Sequence, residues 1–126
     1  MEVQFFLPNR LIKPSIDEWI VKYVNNKKPV TGNILTLKFD FSENKISDSG
    51  VYNSFFSSFK LNASDINFGS IVSTKKACLE NRVSQFENLY FKTLSNIIEW
   101  KEDGQELILI SNSGSTIVLK AKSIHV

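Results

Sequence analysis

The chain has 126 residues, of which 42% are hydrophobic, and its 15 basic residues nearly balance its 13 acidic ones. This length fits one domain whose core needs no metal or disulfide, since domains most often contain about 100–150 residues. A net charge of +2 is too small to argue for nucleic acid or an anionic membrane as a partner. The single cysteine excludes an internal disulfide.

The first residues carry no recognisable targeting segment. Their longest apolar run, residues 3–7, is interrupted by Gln4 and is too short for a signal-peptide core or a membrane span. Two locations remain open, the cytoplasm, or the cell envelope (periplasmic or lipid-anchored) if an export signal has been removed. We expect residues 1–15 to be an N-terminal extension and residues 16–126 to form a single domain.

Alternating apolar side chains predict β-strands in the first half of the chain. In residues 19–24 the alternation is weak, and it places Trp19, Val21 and Tyr23 on one face. In residues 35–42 it is regular, which predicts a strand with one face buried and one face in water. Residues 48–50 resemble a turn.

Further strands follow along the chain. Residues 55–61 and 66–68 fit this pattern, and residues 107–110 and 116–119 flank an Asn-Ser-Gly turn, which predicts a hairpin. A tighter hairpin around residues 102–104 is expected to connect residues 97–100 to residues 107–110.

One segment has helical periodicity instead. Val83, Phe86, Tyr90 and Leu94 recur at spacings of three and four residues, which predicts an amphipathic helix over about residues 81–96. Its apolar stripe needs a sheet face to cover it. The expected fold is therefore α+β, a curved antiparallel β-sheet or partly open β-barrel with one packed α-helix.

Four segments follow one another in a fixed order. They are Trp19 with the strand after it, residues 50–56 (GVYNSFF), residues 71–78 (IVSTKKAC), and the helix with residues 98–109 behind it. Together they resemble the META domain, the family that includes the heat-inducible HslJ-like proteins, over about residues 16–122. The family-motif residues are Trp19, Gly50, Asn53, Ser73, Thr74, Ala77 and Cys78.

The resemblance also indicates what this chain lacks. Tyr52 stands where the family has its first cysteine, so the two motifs cannot be joined by a disulfide. Lys76 stands where methionine is common. The resemblance implies no shared enzymatic activity and no cofactor. It also implies that relatives of this chain are often exported or lipid-anchored and are associated with stress resistance or secretion.

Two motif residues allow both a structural and a functional interpretation. Cys78 is either a small buried side chain before the helix or a reactive thiol near a helix N-terminus. A thiol nucleophile also needs a base, and the only histidine is His125, next to the end of the chain. Asn53 is either a buried residue whose amide ties two strands together or a ligand contact at a barrel mouth.

The other polar residues are dispersed. The acidic side chains are scattered along the sequence, and the lysine pairs at 27–28 and 75–76 fit plain solvated surface. One His and one Cys cannot supply a metal site. We therefore expect no enzyme and no metal, but a monomeric binding or stress-associated envelope domain acting on an unknown protein partner. The alternative is a carrier of a small hydrophobic ligand or lipid in a cavity between sheet and helix, since its ten Phe can line an apolar pocket as well as fill a core.

Overall fold

The structure, a computed structural model, describes residues 13–29, 35–49, 53–74 and 81–122. Within these ranges the chain forms nine β-strands and one α-helix. The elements are β1 (Glu18–Val24), β2 (Thr36–Asp40), β3 (Lys45–Ser49), β4 (Ser54–Asn62), β5 (Asp65–Phe68), β6 (Val72–Ser73), α1 (Asn81–Ser95), β7 (Ile97–Asp103), β8 (Glu106–Ser111) and β9 (Thr116–Ala121).

The strands form one antiparallel sheet that closes on itself. Its order is β3-β2-β1-β9-β8-β7-β5-β4, and a further pairing of β3 with β4 joins the two ends. The short strand β6 pairs with the first part of β4, on the edge that β5 occupies further along. The prediction of an antiparallel sheet with one packed helix is confirmed, and the sheet closes into an eight-stranded barrel rather than staying curved or partly open.

The alternation predicted for residues 35–42 is confirmed by burial as far as Asp40, where β2 ends, and Phe41 and Ser42 lie in the turn that follows. Leu35, Leu37 and Phe39 are buried in the barrel, whereas the polar residues between them are half-buried or exposed. The turn predicted at residues 48–50 is wrong for its first two residues, because Asp48 and Ser49 continue β3 and pair with β4. Its third residue lies outside the described ranges.

A β-bulge in β1 interrupts the alternation that the sequence predicted there. The register between β1 and β9 shifts between Val21 and Tyr23, which leaves one extra residue on β1 and reverses the inward and outward positions beyond it. Val24 is therefore fully buried and Tyr23 is 37% exposed. The sequence pattern grouped Tyr23 with Trp19 and Val21 on one face, because alternation assumes an uninterrupted pleat.

The helix α1 closes one end of the barrel. It begins at Asn81 and ends at Ser95, within one residue of the predicted bounds, and its buried stripe includes Phe86, Tyr90 and Leu94. Tyr90 packs edge-on against Phe55 of β4, with ring centroids 5.7 Å apart. The helix therefore continues the aromatic core of the barrel rather than lying on a separate layer.

Both C-terminal hairpins are confirmed. The β7–β8 turn places Gly104 at a φ of 63°, and the β8–β9 turn places Gly114 at a φ of 89°. Glycine adopts this left-handed backbone without the clash that a Cβ atom brings. The two turns keep β7, β8 and β9 adjacent in the barrel.

Candidate functional site

A polar cluster joins the helix to two strands, and two of its three side chains are buried. The backbone N–H of Asn53 donates to Oε2 of Glu87 (2.9 Å), and its side-chain Nδ2 donates to Oε1 of the same carboxylate (2.8 Å). Thr74 Oγ1 donates to Oδ1 of Asn53 (2.7 Å). Asn53 is 8% exposed and Glu87 is 5% exposed, so these bonds compensate for removing the polar groups from water.

The chain topology brings these three side chains together. Asn53 immediately precedes β4, Thr74 immediately follows β6, and Glu87 lies on the inner face of α1. Thr74 N–H donates to the carbonyl of Ser54 (3.0 Å), and Ser54 N–H donates to Thr74 Oγ1 (3.2 Å). The cluster thus ties the beginning of β4 to the end of β6 and to the helix.

The remaining motif residues are divided between described and undescribed segments. Trp19 is fully buried, and its Nε1 donates to the carbonyl of Ile16 (3.1 Å). Ser73 pairs with Phe55 across β6 and β4. Gly50, Ala77, Cys78 and the only histidine lie outside the described residues. The structure therefore brings together Asn53 and Thr74 of the motif, with Trp19 packed elsewhere in the core.

The prediction from sequence missed Glu87, which it grouped with the dispersed acidic residues. A signal was present, because Glu87 follows Phe86 and lies four residues after Val83 and three before Tyr90. These spacings place a carboxylate inside the apolar stripe of the helix. A charged residue at such a position needs a buried hydrogen-bonding partner.

A groove runs beside the exposed edge of α1, and we call it the helix groove. Its volume is about 300 Å³. The residues that border it come from α1 and from the turn after β1; they are Lys27, Lys28, Arg82, Gln85, Phe86 and Leu89. Apolar side chains from the helix thus meet cationic side chains from both elements.

A smaller, more polar depression of about 220 Å³ adjoins the helix groove at Leu89. Its wall includes the β8–β9 turn, where Ser111 Oγ accepts hydrogen bonds from the N–H groups of Ser113 (3.2 Å) and Ser115 (3.0 Å). These contacts fix the turn by local bonds between side chain and backbone.

Asp40, the last residue of β2, has a perturbed pKa. The side-chain hydroxyl of Ser42 and the backbone N–H of Glu43 donate to Asp40, and they lower the pKa of its exposed carboxyl.

Among the described residues, no three His, Cys, Asp or Glu side chains are grouped so that they could hold a metal ion. The single helix in the described ranges lacks the length and hydropathy that crossing a membrane requires.

The chain is thus a small β-barrel protein. One helix covers an end of its closed antiparallel barrel, and a polar cluster ties the helix to the strands. The model of the META domain family matches residues 15–124. The chain therefore belongs to the META domain family, and the resemblance found in the sequence is confirmed. No curated protein matches it significantly.

Solved structures show the same fold at low sequence identity. A protein from Burkholderia xenovorans, solved by NMR, is 16% identical with a TM-score of 0.66, covering 97% of this chain and 100% of that one. A second NMR structure is 20% identical with a TM-score of 0.63, covering 82% of this chain and 87% of that one. A DUF4847 family protein from Bacteroides vulgatus is 14% identical with a TM-score of 0.55, covering 72% of this chain and 61% of that one.

Proposed function

We propose that this chain is a non-catalytic binding domain that acts by surface recognition, as a META/HslJ-like component of the stressed cell envelope. The observation that carries the proposal is the helix groove, where cationic and apolar side chains meet at one accessible place. Such a mixture of apolar lining with a few polar groups is typical of sites that bind small ligands. The assignment to stress and envelope rests on the family resemblance alone.

The polar cluster supports a structural role for its members. Both carboxylate oxygens of Glu87 already accept hydrogen bonds from Asn53. A general base must also lie within reach of the proton that it removes, and the burial of Glu87, which is 5% exposed, keeps a substrate away from it. We therefore assign the cluster to holding the helix in place and the helix groove to recognition.

The proposal is tested by complementation together with an activity screen. A strain deleted for the gene is complemented under heat or envelope stress with the wild type, with Lys27→Gln/Lys28→Gln, and with the matched surface control Lys60→Gln/Lys101→Gln. We expect the groove variant to lose complementation and the control to retain it. Hydrolase or transferase turnover by the purified protein, lost in folded Cys78→Ser or Glu87→Gln, would overturn the non-catalytic assignment.

A second candidate is a carrier of a small hydrophobic ligand between sheet and helix. The position of Phe86 and Leu89 along the helix groove favours it. The barrel interior offers less support, because Phe39, Phe59 and Phe68 pack against one another with ring centroids 5.5–6.5 Å apart. Native mass spectrometry of the gently purified protein tests this candidate, since a carrier retains a stoichiometric apolar molecule.

A further inference from the structure

The turn after β1 presents a lysine to the helix groove on a fixed backbone. Val24 N–H donates to the carbonyl of Lys27 and Lys27 N–H donates to the carbonyl of Val24, both at 2.9 Å. Between them, Asn25 and Asn26 have φ values of 52° and 67°, the conformation of a tight two-residue hairpin turn. The backbone that carries Lys27 is therefore preorganised, which lowers the entropy cost of binding there.

The two lysines at the helix groove are not neutralised by any residue that the structure describes. Its border contains three basic residues and, within the described part of the chain, no acidic one. Lys27 and Lys28 are both exposed, and neither forms an ion pair with a described residue. Arg82 has interactions of its own, so the two lysines carry the argument. An anion is the ligand that complements this rim.

The floor of the helix groove is apolar. Phe86 is buried and Leu89 is half-buried, and both border the groove. The aliphatic stems of lysine side chains also cover apolar surface while their ammonium groups stay in water. A ligand that fills this groove therefore needs an apolar body as well as a negative charge.

The size of the groove limits that body. Its volume of about 300 Å³ lies at the lower end of the range of roughly 300–1,000 Å³ that is typical of ligand pockets. A single medium-length alkyl chain suits this space better than the two chains of a phospholipid. The exposed amide of Gln85 on the same border is a further donor for an anionic head group.

We propose that the helix groove binds the anion of a single-chain fatty acid, with its carboxylate at Lys27 and Lys28 and its alkyl chain along Phe86 and Leu89. This inference rests on the proposed binding function and names the ligand class. Charge complementarity selects the head group, and burial of the alkyl chain supplies the free energy that an exposed ion pair alone does not supply.

The test is a calorimetric titration of the full chain with laurate, kept below the concentration at which it forms micelles. We expect saturable binding of one molecule per chain. Dodecanol tests the charge, and acetate tests the alkyl chain; each is expected to bind at least tenfold more weakly than laurate. Dodecanol binding as tightly as laurate would overturn the assignment of the head group, and the absence of saturable laurate binding would overturn the proposal.

Matched variants locate the site. Lys27→Gln/Lys28→Gln is expected to weaken laurate binding at least tenfold, whereas Lys60→Gln/Lys101→Gln, on exposed strand positions, leaves it unchanged. Leu89→Gln tests the floor and is expected to weaken binding about tenfold. Equal loss in both double variants would indicate non-specific attraction and overturn the site. Unchanged urea midpoints ensure that the variants are folded.

An acidic peptide provides the competing occupant. If it binds at the two lysines and laurate does not displace it, the fatty-acid assignment is wrong. The proposed function is tested separately, by the complementation experiment. If laurate fails to bind but Lys27→Gln/Lys28→Gln still loses complementation, the ligand class is wrong and the binding function stands.

Discussion

Glu87 lies 34 residues beyond Asn53 in the sequence, yet its two carboxylate oxygens accept both the backbone and the side-chain N–H of that residue. One carboxylate thus satisfies two donors at the point where the barrel meets its helix. Because a buried donor left unpaired costs more than a typical hydrogen bond contributes, this arrangement fixes the helix in one position over the barrel.

The first prediction concerns Glu87→Gln. A glutamine amide has one oxygen, so its NH₂ group must face one of the two Asn53 donors. We expect the free energy of unfolding to fall by about 1–3 kcal/mol, the cost of one unsatisfied buried group. Urea denaturation measures it, with exposed Glu43→Gln as a control that changes stability by about 0.5 kcal/mol or less. Equal stability of the two variants would show that the Asn53 contacts are not formed in solution.

The second prediction tests whether Thr74 belongs to the same network. Thr74→Val removes the donor to Asn53 Oδ1 and the acceptor for Ser54 N–H, and we expect a loss of about 1–2 kcal/mol. Combined with Glu87→Gln, it should show a coupling energy of about 0.5–3 kcal/mol, as residues of one network do. The half-buried Thr116→Val is the control. Strict additivity with Glu87→Gln would separate Thr74 from the cluster.

The sequence predicted Asn53 as one possible tie between strands but did not predict its partner. An amide in a turn before a strand can be recognised locally, because its neighbours in the chain define it. Its partner depends on where the helix docks, which involves residues 34 positions away. The carboxylate inside the apolar stripe of α1 was the only local sign of that contact.

The helix groove likewise could not be predicted from the sequence. Lys27 and Lys28 fit plain solvated surface in the sequence, and both are exposed. Their relation to Phe86 and Leu89 arises only because the barrel closes and α1 lies over the end at which β1 finishes. The elements and the order of the motifs could be predicted from local patterns, whereas the groove required the three-dimensional arrangement.

The third prediction tests the β-bulge in β1. Val24 is fully buried and Tyr23 is 37% exposed, although alternation grouped Tyr23 with Trp19 and Val21. We expect Val24→Ala to lower the free energy of unfolding by about 1.5–3 kcal/mol, and Tyr23→Ala to lower it by only about 0.5–1 kcal/mol. The two variants are controls for each other in thermal or urea unfolding. A larger loss in Tyr23→Ala would mean that the strand keeps an uninterrupted register.

The fourth prediction concerns Asp40, whose pKa is lowered chiefly by the hydroxyl of Ser42. Since the folded pKa lies below the unfolded one, the contribution of Asp40 to stability is present above the unfolded pKa. It is lost as pH falls through the folded pKa, in the range below about pH 4. An NMR titration should show the Asp40 pKa rising towards its ordinary value in Ser42→Ala and unchanged in Ser58→Ala. An unaltered pKa in Ser42→Ala would exclude the hydroxyl as its main cause.

The fifth prediction concerns the junction between β5 and β7, where the strand pairing consists of Asp65 opposite Glu99. Both side chains are exposed, and like charges directly opposite each other destabilise a sheet. We expect Glu99→Gln to raise the free energy of unfolding by about 0.2–1 kcal/mol and the gain to shrink in about 1 M salt, where screening is strong. Asp65→Asn should then add little in the Glu99→Gln background, because the repulsion has already been removed. A full additional gain from the second substitution would mean that the two carboxylates do not interact.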